Sequence, residues 1–153
     1  MTLDVAEALF LHGQIRREEL PAVAGDLLAA GTDTPAIRSL AGLTQAELDE
    51  AHELFRRALQ ELGRRRPTGD EAAMTVARHL SAIVLADPAN ARRVASEGAR
   101  LAAAFNYHDA LIPFYRADDE YGLPGCQPAD VDREWSNTPA GCFAMSRVPP
   151  EPE

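Results

Sequence analysis

The chain has 153 residues, a length that fits one domain and buries roughly 70% of the surface its unfolded form exposes, so no disulfide or metal is required to hold a core. With 24 acidic against 15 basic residues, the formal charge is −9 and the pI about 4.9, a field that repels phosphate backbones and anionic lipid surfaces. Nucleic acid and membrane are thereby excluded as default partners, and a protein with a basic surface is favoured.

Hydrophobic residues make up 46% of the chain and aromatics 6%, and alanine and leucine, both good helix formers, carry most of the apolar content. No alternating apolar run marks a strand. In chain order, Thr2 caps a first helix that stops at Gly13 and places Val5, Ala6, Leu9 and Phe10 on one side. A second spans about Glu18 to Ala30 and ends at Gly31. Its Leu20, Val23, Ala24, Leu27 and Leu28 recur at helical spacing, and Pro21 belongs in its first turn. A short third helix is capped by Thr34, begins at Pro35 and ends at Gly42. The fourth opens on the capping box Thr44-Gln45-Ala46-Glu47. It runs a stripe through Leu48, Ala51, Phe55, Leu59 and Leu62, and closes at Gly63. Arg64, Arg65 and Arg66 then complement the carbonyl end of its dipole.

Pro67-Thr68-Gly69-Asp70 leads into a fifth helix that reaches about Ala86, with Ala73, Val76, Leu80, Ile83 and Val84 as its stripe. Asp87-Pro88 opens a sixth carrying Val94, Ala95, Gly98, Leu101, Ala102 and Phe105. Gly98 costs about 1 kcal/mol relative to alanine inside a helix, and with Ala95, Ala99 and Ala102 beside it the expectation is a close approach by another helix. A seventh covers about Asp109 to Tyr121, interrupted by Pro113. From 122 to 153 glycine and proline are too dense for a long helix, and Trp135 and Phe143 are the side chains expected to fold back on the helices. The expectation is an all-α fold: a single-domain helical bundle of about six to seven helices over 1–121, with an irregular tail over 122–153. A short HEAT-like α-solenoid is the alternative.

No apolar run approaches the ~20 residues that span a bilayer, and the first residues lack a basic, then apolar, export signal. That predicts a cytoplasmic protein in which Cys126 and Cys142 are reduced thiols. No histidine lies between or after those cysteines to complete a local zinc site. Four histidines are present. His52 and His79 sit at the edges of core stripes and read as boundary residues. His108-Asp109 resembles the His-Asp pair of metal-dependent phosphohydrolases, with His79 and Asp118 as the further ligands such an enzyme needs. The match is two residues long, and the ordinary role for Asp109 is to cap the seventh helix.

Thr34 to Phe55 has the spacing of a helix-turn-helix, but the second helix presents Glu47, Asp49, Glu50 and Glu53, which repel phosphates. Three of those acids, with Asp118-Asp119-Glu120, are the candidate contacts for a basic partner: Glu47, Glu50, Glu53, Asp118, Asp119 and Glu120. No catalytic set and no cofactor motif is found.

Leu20-Pro21, the string Ala30-Gly31-Thr32-Asp33-Thr34-Pro35-Ala36, and Leu40-Ala41-Gly42-Leu43 resemble a group of small helical actinobacterial proteins. The resemblance implies a helical fold and an association with toxin–immunity or defence genes, and it carries no catalytic residue. The leading functional expectation is a protein–protein interaction module of the acidic immunity or antitoxin kind. The alternatives are a metal-dependent phosphohydrolase-like enzyme and a precursor whose tail, with Cys142, Phe143 and Met145, is modified.

Overall fold

In the computed structural model, residues 1–124 and Val131 are described; Cys126, Trp135, Cys142, Phe143 and Met145 lie outside them. Among the described residues the chain is helical with no strand, the all-α class expected. The helices are α1 (Leu3–Leu11), α2 (Leu20–Ala29), α3 (Pro35–Ala41), α4 (Ala51–Glu61), α5 (Gly69–Ala86), α6 (Ala91–Ala104) and α7 (Ile112–Gly122). Short 3-10 turns at Arg17–Glu19, Gln45–Glu50 and Pro88–Asn90 lead into α2, α4 and α6. None of these helices is long and apolar enough to cross a membrane. Chain contacts divide the molecule into two compact units, Met1–Ala72 and Ala73–Glu153.

The first unit is punctuated as its capping residues dictate. The Thr2 hydroxyl accepts from Val5 N at 3.4 Å and that of Thr34 accepts from Ile37 N at 3.3 Å. The Thr44–Glu47 box is formed, with Thr44 N donating to Glu47 Oε2 at 3.0 Å. The segments that open on Glu18 and Thr44 start as 3-10 turns rather than α-helix, so α2 and α4 begin later than periodicity alone implies. At Gly63 the backbone reaches φ +63°, a left-handed turn that releases α4 at little steric cost; Gly13 and Gly31 end their helices the same way. Ala6, Ile15, Leu20, Val23, Ala24, Ile37, Leu40, Ala51, Phe55 and Ala58 form one buried cluster. Leu9, Phe10, Leu27, Leu28, Leu59 and Leu62 pack against its margin. Phe10 meets Phe55 edge-on, with ring centroids 5.2 Å apart.

α5 lies almost wholly in the second unit, but its capping box precedes the division. Glu71 N donates to Thr68 Oγ1 at 3.2 Å, and Thr68 N donates to Glu71 Oε2 at 2.8 Å. Arg65 adds a two-pronged ion pair to the same carboxylate, at 2.7 and 3.1 Å. These contacts, the Arg65 hydrogen bonds first and the Thr68 N–H next, hold the Glu71 carboxyl down at about 2. A depressed carboxylate adds stability above its unfolded value, near 4.5, and loses it as pH falls through the folded value. The Glu71 contribution therefore disappears between about pH 4.5 and 2. A carboxyl-detected NMR titration is expected to place Glu71 at the low end of that window, and a midpoint near 4.5 would refute the arrangement.

α6 and α7 pack closely against each other. Val94, Ala95, Gly98, Leu101, Ala102 and Phe105, the predicted stripe, are all buried. The expected close approach at Gly98 is made by α7: a Cβ built there falls 2.3 Å from Cβ of Phe114, itself fully buried. The seventh helix needs a correction. It starts at Ile112, so Pro113 occupies its first turn and interrupts nothing, because an N–H is not required there. No side chain caps it, Asp109 included. On α5, Ser81 is buried and its Oγ finds no hydrogen-bond partner among the described residues. Ser81→Ala is expected to stabilise the chain by up to about 1 kcal/mol in chemical denaturation, since a desolvated, unpaired hydroxyl is removed. A loss of 1 kcal/mol or more, on the same order, would reveal a partner for that hydroxyl.

Candidate functional site

The residues expected to carry chemistry are spread along the second unit. His79 is half-buried in the middle of α5, and burial, which penalises the charged ring, lowers its pKa. His108 sits in the turn before α7, where its Nδ1 accepts from Ala110 N at 3.2 Å and braces the loop. Asp109 is exposed beside it, and Asp118 lies half-buried in α7. Among the described residues, these and all other His, Cys, Asp and Glu side chains gather no group of three or more able to hold a metal ion.

The candidate partner-binding acids separate into two kinds. Glu47 is engaged by Thr44, whose N–H and hydroxyl lower its pKa. Glu53 is held by Arg56, the main reason its pKa is lowered. Asp49 pairs with Arg17. Glu50 is exposed and makes no pair among the described residues. On α7, Asp118, Asp119 and Glu120 likewise make none, although Arg116 lies within a turn of them. Helical periodicity puts Asp119 on the same side of α7 as Tyr115, one turn earlier.

Tyr115 is exposed and so is Tyr107, which precedes α7; their rings meet edge-on with centroids 5.7 Å apart. The backbone beneath this pair is strained. Asn106 and Tyr107 are both left-handed, at φ 53° and 54°, and Tyr107 N donates to Ala102 O at 2.7 Å to close α6. Asparagine tolerates that region, but a tyrosine there costs about 1 kcal/mol that glycine would not. The sequence signal for this feature is weak: Phe105-Asn106-Tyr107-His108 contains no glycine or proline, and Asn106 alone marks a turn.

A second constellation, also unread in the sequence, lies in the first unit. Glu7 is 3% exposed, and its Oε2 takes two bonds from Arg64, from Nε at 3.0 Å and Nη2 at 2.8 Å. Arg64 also pairs with Asp4. The Glu7 hydrogen bonds are the first cause of the raised pKa of Arg64, which keeps it charged at any ordinary pH. Beside this pair is a cavity of about 480 Å³, lined by Glu7, Phe10 and Leu11 of α1, by Arg56, Leu59 and Gln60 of α4, and by Arg64 and Arg66. The lining residues of each helix follow i, i+3, i+4 spacing, so the cavity is a trough between two helix faces.

No family model matches the chain, and no match is found among curated proteins or among solved structures.

Proposed function

We propose that the protein is an acidic helical interaction module that binds a protein with a basic surface, in the manner of an immunity protein or antitoxin. The observation that carries this reading is the exposed Tyr107–Tyr115 pair beside the unpaired carboxylates of α7. Tyrosine gives large contact area for little lost side-chain freedom and is enriched at interface hot spots. Its ring face also accepts an arginine or lysine, which the neighbouring Asp118, Asp119 and Glu120 attract over a longer range. A strained tyrosine kept where glycine would relax the turn fits a surface shaped for contact rather than for stability.

The test is capture of a stoichiometric basic protein from an extract of the source organism, with the chain as bait. Capture is expected to weaken as salt rises and to fail for Asp118→Asn/Asp119→Asn. Tyr107→Gly is expected to fold at least as stably as the parent by thermal melting, yet to bind about tenfold or more weakly. A partner retained equally by both variants would place the interface elsewhere and remove this reading.

A further inference from the structure

We infer that the trough between α1 and α4 is a binding site for a small apolar carboxylate, a ligand that the proposed protein interaction does not require. Its volume of about 480 Å³ falls within the range of small-molecule pockets, and its wall is Phe10, Leu11 and Leu59. Three arginines, Arg56, Arg64 and Arg66, also line the trough, in a protein with nine more negative than positive charges. They differ in what they have left to give. Arg64 is held by Glu7 and Asp4, and Arg56 by Glu53. Arg66 makes no ion pair or side-chain hydrogen bond among the described residues, nor does the Gln60 amide. The open equipment of the trough is therefore a free planar fork of donors, an amide and an apolar floor, which together match a carboxylate on a hydrocarbon or aromatic body.

The surrounding acids set the charge of that ligand. Glu7 lines the trough, and Asp4 and Glu53 sit behind its arginines. Arg56, Arg64 and Arg66 are balanced by Glu53, Glu7 and Asp4, so no surplus positive charge is left for the second charge of a dianionic phosphate, and a monoanion making one bidentate contact with Arg66 suits the trough better. Glu7 and Arg64 hold each other and so fix one wall of the trough before the ligand arrives, whereas Arg66 is ordered only on binding.

Octanoate is the probe, titrated into the full-length protein and followed by amide NMR. The expected result is saturable shifts confined to α1, α4 and Arg64 to Arg66, with octanamide and octyl phosphate each binding about tenfold or more weakly. Arg66→Ala is expected to weaken octanoate about tenfold while leaving the octanamide titration unchanged, and Arg66→Lys to recover only part of the loss. Arg66 is exposed and its side chain makes no hydrogen bond or ion pair among the described residues, so the variant is expected to fold like the parent. The inference is overturned if about 10 mM octanoate moves no α1 or α4 amide, a concentration that detects even Kd values near millimolar. It is equally overturned if octanamide or octyl phosphate binds as well as octanoate, or if Arg66→Ala leaves octanoate affinity unchanged. Each of these results is independent of whether a basic protein is captured.

Discussion

Gly98→Ala is expected to destabilise the chain by about 2–3 kcal/mol, although alanine is the better helix former by about 1 kcal/mol. The added methyl would lie 2.3 Å from Cβ and 2.6 Å from Cγ of Phe114. Cβ is fixed by the backbone, so no rotamer of Phe114 moves it away, and α6 and α7 must separate. Phe114→Ala offers no relief, because alanine keeps the offending Cβ. Chemical denaturation measures the loss, and hydrogen exchange is expected to show it as lowered protection along α6 and α7. Ser96→Ala, on the exposed side of α6, isolates the propensity gain and is expected to change stability by no more than about 0.5 kcal/mol. A Gly98→Ala chain as stable as the parent would mean that the two helices do not meet at this point.

Arg64→Ala is the second large effect, expected to cost about 3 kcal/mol. It strands the Glu7 carboxylate, 3% exposed, without the guanidinium that takes both bonds to its Oε2. Breaking one side of a buried pair costs about 3–5 kcal/mol, and the lower end applies because Arg64 itself is partly open to solvent. The charge, rather than lost packing, is the cause, so Glu7→Gln/Arg64→Ala is expected to recover at least half of the deficit in the same denaturation series. A double variant no better than Arg64→Ala would assign the loss to the arginine stem instead.

How much of this was legible in the sequence follows from the distance over which each feature acts. Thr2, Thr34, Thr44-Glu47 and Asp87 satisfy backbone N–H groups two or three residues away, so helix starts could be read locally. The stripe from Val94 to Phe105 is a property of one helix and was read in full. Gly98 announced a close approach, because glycine in a helix needs a reason, but not that Phe114 makes it. The α7 start was misread because Pro113 either breaks a helix or opens one, and only the turn at His108–Leu111 decides which.

The sequence by itself determined the all-helical class, the order of the helices, the caps of those before α7 that a side chain closes and the apolar faces they bury, since each depends on neighbours within a turn or two. Tertiary structure alone decided that Arg64 would be spent on Glu7, 57 residues away, while Arg66 stays free, and that Tyr107 and Tyr115 meet on the surface. It also decided which acids are bound internally and which, among the described residues, make no pair. Charges and rings of one type look alike in a string of residues; the fold differentiates them by bringing some within hydrogen-bonding reach and leaving others in water.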